Sequence, residues 1–281
     1  MRVLIVADSE GQAGLVRERV PRAGWRERLR TRLLRRPAEY TYGLFQAEFN
    51  REQMSREAAA CARAALAAGA REVVVLDGGF IRGYTPVGLV IIPQMLPKGT
   101  KLAQGGVPLN ALAAEGWDAA IMIGCHAKAG TKDGVMAHTF SDHSIASLAV
   151  NDTEIGEIAV EALVLGHYRI PVVLVSGDAA ACREAVELLP SVRTVCTKRG
   201  FGAHIAVSLH VEDACDLLEQ ETRTALADIG TAKPLIWPAP FSVRLTCRSE
   251  DIAKRRAHRY PSASVTGRVI SYQAATAQDI Y

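Results

Sequence analysis

The feature that most constrains this chain is a set of four short apolar runs, at residues 3–7, 72–76, 119–123 and 172–175, each running straight into small or chemically active residues. The runs are rich in Val and Ile and too short for buried helices, so each reads as a strand covered on both faces. Helical stretches lie between them. Residues 55–68 are alanine-rich with apolar spacings of three and four, and Gly69 supplies a stop. Residues 109–115, 156–166, 180–189 and 212–228 also read as helices, and Pro190 ends the third of these four. Strands alternating with helices imply an α/β fold, a mostly parallel central sheet with helices on both faces. Residues 145–150 and 153–155, joined by Asn151-Asp152, read as a hairpin.

The pattern changes after Pro234. Two strands, at 242–247 and 264–272, flank a helix at 250–259, beyond a stretch at 233–240 that holds three prolines. The expected organisation is an α/β catalytic domain over 1–233 and a smaller C-terminal α+β unit over 241–281. Within the first, residues 17–36 carry nine arginines against Glu18 and Glu27, a local charge of +7 in a chain whose net charge is +3. This basic insertion reads as a solvated helix or loop; the competing reading is a docking surface for an anionic partner or another subunit.

Composition excludes several classes. With 49% apolar and 22% charged residues, the 281-residue chain can bury a large core and is not a disordered one. Its longest apolar runs fall far short of the roughly 18 residues a membrane span needs. The apolar start meets Asp8 and Glu10 at once, unlike a secretory signal. The small net charge gives no argument for a nucleic-acid partner. Six cysteines without a C-x-x-C pair argue against a disulfide framework or a cysteine zinc site, and imply a reducing, cytoplasmic compartment.

The strand ends carry the chemistry. The four runs lead into Asp8-Ser9-Glu10, Asp77-Gly78-Gly79, Gly124-Cys125-His126 and Ser176-Gly177-Asp178. In an open parallel sheet ligands bind beyond the carboxyl ends of the strands, so these residues should converge on one crevice. Carboxylates with a histidine suit a hard or borderline divalent metal. Asp8 and Glu10 are two apart and face one side of an extended chain. His138, twelve residues after His126 in a glycine-rich stretch, can fold back over the same ion. Taken singly, each has a plainer role: Asp8 as a turn cap, Glu10 as a solvated charge, His126 as a structural histidine. Glu157, at a helix start, is also favoured there by the helix dipole. Their joint placement at strand ends favours the metal.

These blocks resemble one family. A-D-S-E-G, G-C-H-A-K-A-G, G-V-M-A-H-T, N-D-T-E-I-G-E and I-P-V-V-L-V-S-G-D occur in the order, and at close to the spacing, of the zinc D-aminopeptidases of the dipeptide-transport operon type. The helix R-E-Q-M-S-R-E-A-A-A before E-V-V-V-L-D matches as well, as do E-L-L-P and Lys198. The resemblance covers nearly the whole chain. It implies a metal-dependent aminopeptidase acting on short peptides or related small amides, with zinc held by Asp8, Glu10, His126 and Glu157 and with His138 as the catalytic histidine. It also implies a homo-oligomer, the best-known member being a decameric ring.

One position departs from the pattern. Where the family has Asp-Ser-His with a metal-binding histidine, this chain has Asp77-Gly78-Gly79. The expectation is therefore one firm zinc site, formed by Asp8, His126 and Glu157, and a doubtful second. The alternative that Gly79 opens is a non-catalytic or substrate-altered member, serving as a binding or scaffold subunit.

Overall fold

The computed structural model of the chain describes residues 1–15, 37–78 and 91–281, with backbone alone over 37–48. The expectations placed on residues 17–36 and on Gly79 lie outside the described residues.

The central sheet has seven strands, β1 (Arg2–Ala7), β2 (Glu72–Asp77), β3 (Thr100–Ala103), β4 (Ala119–Cys125), β7 (Val172–Asp178), β8 (Arg193–Gly202) and β9 (Ile205–Ser208). Their order is β3-β2-β1-β4-β7-β8-β9. All neighbours are parallel except the edge hairpin formed by β8 and β9. The helices are α1 (Pro37–Ala67), α2 (Leu109–Ala113), α3 (Glu157–His167), α4 (Ala179–Leu188), α5 (Val211–Ala227) and α6 (Glu250–Ala257).

Alternation along the strands builds the layers, because successive side chains of a strand point to opposite faces. Val3, Ile5, Val73, Val75, Ile121 and Ile123 enter one core with Ala58, Ala62 and Ala65 of α1 and Leu218 and Ala225 of α5. Leu4, Val6, Val74, Leu76, Ala120 and Met122 enter the other, with Leu109 of α2, Ile158 and Leu163 of α3, and Ala181 and Ala185 of α4. Both faces of the sheet are therefore covered by helices, as the alternating sequence pattern implies.

A second, antiparallel sheet lies against that second core. It is made of β5 (Ile145–Val150), β6 (Thr153–Ile155), β10 (Phe241–Cys247), β11 (Ser264–Thr266) and β12 (Val269–Ala274), in the order β11-β12-β10-β5-β6. The expected hairpin is present as β5–β6, and β10 pairs with β5, Leu245 opposite Leu148. This sheet thus crosses the sequence boundary expected at residues 233–241, and Val243, Leu245, Ile270 and Tyr272 share one core with Ile145 and Leu148.

The strand order reverses between β1 and β4. From β1 the chain proceeds outward to β2 and β3, then returns to the other side of β1 as β4. Such a switch point opens a crevice at the carboxyl ends of the two strands. Gly124 makes the close approach there possible. Its φ is +69°, and a Cβ at this position would lie 2.2 Å from the backbone oxygen of Asp8. The amide of Asp8 donates to the Ile123 carbonyl at 2.8 Å and that of Gly11 to the Gly124 carbonyl at 2.7 Å, stitching the 8–11 loop onto the end of β4.

Candidate metal centre

Each acidic and imidazole group of the crevice is delivered by a different piece of the fold. Asp8 and Glu10 follow β1, His126 follows β4, and Glu157 opens α3. His138 comes from the long connection between β4 and β5, where Met136 and Phe140 adopt left-handed backbone conformations, with φ of 52° and 55°. Two such residues bracketing His138 turn the loop back over the sheet.

The five side chains meet. His126 Nε2 lies 3.6 Å from Asp8 Oδ2 and 3.2 Å from Glu157 Oε1. His138 Nε2 lies 3.9 Å from Glu10 Oε1 and 3.7 Å from the same Glu157 oxygen. The two imidazoles stack with their centroids 3.9 Å apart and planes 12° from parallel. Donor atoms of Glu10, His126 and His138 all fall within 4.8 Å of one another.

Backbone carbonyls set the tautomers. His126 Nδ1 is 3.0 Å from the Ala127 oxygen and His138 Nδ1 is 2.8 Å from the Met136 oxygen. A carbonyl only accepts, so both Nδ1 atoms carry hydrogen and each ring turns its Nε2 toward the carboxylates. The carboxylates are oriented as well. Glu157 Oε1 accepts from the Phe140 amide at 2.7 Å, Asp8 Oδ1 from the Ser9 amide at 2.9 Å, and Glu10 Oε2 from the Ser9 hydroxyl at 3.1 Å.

Lone pairs and carboxylate oxygens facing one another across a largely buried space need positive charge between them, either protons or a cation. The electrostatics carry that signature. Burial disfavours a charged His126, yet Glu157, Asp8 and Glu10 outweigh it and raise its pKa well above the usual value. Burial, then the neighbouring Glu10, raises Asp8. Behind α3's first turn, burial and Glu157 likewise raise Glu161 well above the carboxylate range. A divalent cation satisfies the set of three carboxylates and two imidazoles directly, and the preset Nδ1 hydrogen bonds are the outer-shell arrangement that metal-binding histidines use. The residues present fit such an ion.

Not every strand end contributes. Asp178 turns away from the crevice, capping α4 at the Ala181 amide and accepting from the Val135 amide. Ser176 Oγ takes the Gly124 amide at 3.1 Å. Asp77 accepts from the Ile91 amide at 3.1 Å and from Gln104 at 3.2 Å.

One residue of the site has no role in the sequence reading. Lys198 is buried, and its Nζ donates to the carbonyl of Gln12 at 3.0 Å and to those of Glu10 and Leu15. It clamps the loop that carries Asp8 and Glu10. Burial draws its pKa down to about 8, against Asp178, Glu57 and Glu10, which favour the charge. Thr197 adds a hydroxyl hydrogen bond to the Gly11 carbonyl at 2.5 Å, and Glu57 accepts from the Ala13 amide at 2.8 Å.

Fold and crevice together define an α/β protein with a carboxylate–histidine cluster able to hold a metal ion at the switch point of a parallel sheet. The chain belongs to the D-aminopeptidase family, peptidase family M55, whose profile matches residues 1–281. It is 28% identical over 242 residues to a D-aminopeptidase of Bacillus subtilis strain 168, covering 85% of this chain and 78% of that protein. Among solved structures it resembles the Zn-dependent D-aminopeptidase DppA from Bacillus subtilis, described as a self-compartmentalizing protease. The TM-score is 0.80 and the identity 26%, over 100% of this chain and 94% of that one.

Proposed function

We propose that this chain is a zinc-dependent aminopeptidase that removes N-terminal residues, D-residues among them, from short peptides or related small amides. The observation that carries the reading is the meeting of Asp8, Glu10, His126, His138 and Glu157 around one space at the switch point. Family membership and the zinc-dependent relative support it.

Asp8, His126 and Glu157 would hold the principal zinc ion, with Glu10 beside them. When bound, zinc supplies the Lewis acidity that polarises an amide carbonyl and acidifies water. His138 is the proton carrier. Its Nδ1 is tied to Met136, so Nε2 is the atom that takes a proton from the attacking water and returns it to the departing amine. The same Nε2 faces Glu10 at 3.9 Å and Glu157 at 3.7 Å. Glu10 is also placed to pair with the ammonium group of a peptide N-terminus. A second metal ion would lack the family's histidine at Gly79, so its binding is expected to be weak.

A homo-oligomer is part of the proposal. Phe201, Ile205 and Val207, at 56%, 64% and 63% exposure, form an apolar surface on the β8–β9 edge hairpin that association would cover. A cytoplasmic setting is supported by six free cysteines. No helix among the described residues is long and apolar enough to cross a membrane. The scaffold-subunit alternative is disfavoured by the oriented donors of Asp8, Glu10, His126 and Glu157 and by a retained His138.

The test is hydrolysis of dipeptides and amino-acid amides of both chiralities by the zinc-loaded protein, before and after chelation. Release of free amino acid that disappears on chelation and returns with zinc is expected. Intact substrates throughout, with zinc bound, would overturn the proposal.

A further inference from the structure

Away from the crevice, reactive side chains gather at a pair of thiols. Cys182 lies in α4 and Cys196 in β8, which α4 packs against. The Cys182 sulfur is 3.9 Å from the Gly177 carbonyl oxygen, and Gly177 is the residue directly opposite Cys196 in the parallel pairing of β7 with β8. Cys196 Sγ is 3.2 Å from the Lys198 carbonyl. Each thiol is the strongest electrostatic neighbour of the other. Cys182 is buried and Cys196 exposed.

We propose that Cys182 and Cys196 are a peroxide-sensitive dithiol that closes to an intrachain disulfide tying α4 to β8. The geometry divides the roles. Cys196, open to solvent, meets the oxidant; Cys182, held beside it and shielded, resolves the product. The Cys196 thiolate attacks one oxygen of hydrogen peroxide, the O–O bond breaks and hydroxide leaves, giving a sulfenic acid at Cys196. Cys182 sulfur then attacks the Cys196 sulfur, the S–S bond forms, the S–O bond breaks, and the released hydroxide takes the Cys182 proton as water. In sum, two thiols and one peroxide become one disulfide and two waters, the sulfurs losing two electrons to the peroxide oxygens.

The same environment makes the chemistry selective. The neighbouring Cys182 thiol lowers the Cys196 thiol to about 7, so thiolate is present near neutrality. Burial pushes Cys61 up to about 12 and Cys215 up to about 11. Cys125 and Cys247 are buried and raised as well.

The experiment exposes the full-length, zinc-loaded protein to a small excess of hydrogen peroxide, alkylates the remaining thiols, and maps peptides without reductant. Expected is an intact mass lower by about 2 Da, a Cys182–Cys196 linked peptide, and recovery of both thiols with dithiothreitol. In Cys182→Ser the linked peptide should vanish, and Cys196 should instead gain about 16 or 32 Da and be trapped by a sulfenic-acid reagent. Oxygen added to Cys196 in the unmutated protein without a crosslink, a disulfide between other cysteines, or one between two chains would overturn the proposal. The peptide map of the unmutated protein decides even if the variant fails to fold.

Discussion

Lys198 Nζ donates to the carbonyl of Gln12 at 3.0 Å, and through this and its bonds to the Glu10 and Leu15 carbonyls a buried ammonium fixes the loop on which two of the acidic site residues ride. The Gln12 carbonyl also accepts from the Leu15 amide at 3.4 Å, but among the described residues Lys198 is the donor that serves the Glu10 and Leu15 carbonyls. Lys198→Met keeps the aliphatic stem and removes only the charge and its hydrogen bonds. It should cost about 3 kcal/mol of stability, since bonds to charged groups contribute roughly 1.5–3 kcal/mol each and the orphaned carbonyls relax in part. Urea denaturation reads the loss, and zinc affinity should fall with it. Unchanged zinc affinity in a folded Lys198→Met protein would show that the clamp does not position the acidic loop.

His138→Ala separates proton transfer from metal binding. Turnover should fall by roughly 10²–10⁴-fold while zinc content is unchanged. His138 Nε2 also lies in the donor group with Glu10 and His126. Loss of zinc from the variant would therefore make His138 a ligand, and unchanged turnover would remove it from the mechanism.

Metal stoichiometry follows from Gly79, which has no side chain to offer. One zinc per chain should survive exhaustive dialysis, measured by elemental analysis. Two equivalents would require another side chain to substitute for the family's histidine.

Gly124→Ala places a methyl 2.2 Å from the Asp8 oxygen at a residue whose φ is +69°. The left-handed conformation alone costs about 1–2 kcal/mol, and the backbone contact must also be relieved, so a loss of about 3 kcal/mol or more is expected by thermal or chemical unfolding. Because relief moves Asp8, zinc affinity should drop. A fully stable variant with native zinc affinity would refute the tight crossing.

The alkylation rate of Cys196 should follow its thiolate. Beside Cys182 its pKa is lowered to about 7, below the ordinary 9.0, so the rate should rise through pH 7 and level off above it. In Cys182→Ser the rise should move upward in pH as far as the serine hydroxyl is a poorer match for the thiol it replaces. A rate that climbs only above pH 8 in the unmutated protein would contradict the assignment.

The layered core and the chemistry at its edge are legible in the order of residues alone. Val3–Ala7 and residues 119–123 alternate between two apolar faces because both sides of those strands are buried, and burial on both sides writes itself as an unbroken apolar run. The residues just beyond such runs stand out because polar and small residues interrupt the apolar run there, which makes Asp8, Glu10 and His126 legible. Tertiary structure decided the rest. Apolar patterning does not mark β8, because its inward positions include Thr197 and Lys198, whose burial is supported by partners on the 8–15 loop far away in sequence. The pairing of β10 with β5 joins residues about a hundred positions apart, and no local pattern specifies a partner strand. Ser176-Gly177-Asp178 looked equivalent to the other strand ends, yet Asp178 is consumed by capping α4. The stacked pair of His126 and His138 depends on two left-handed turns around residue 138 and on carbonyls that orient both rings. Residue type fixes which atoms can bind a metal or carry a proton, but only the folded backbone sets which lone pairs face the same few ångströms of space.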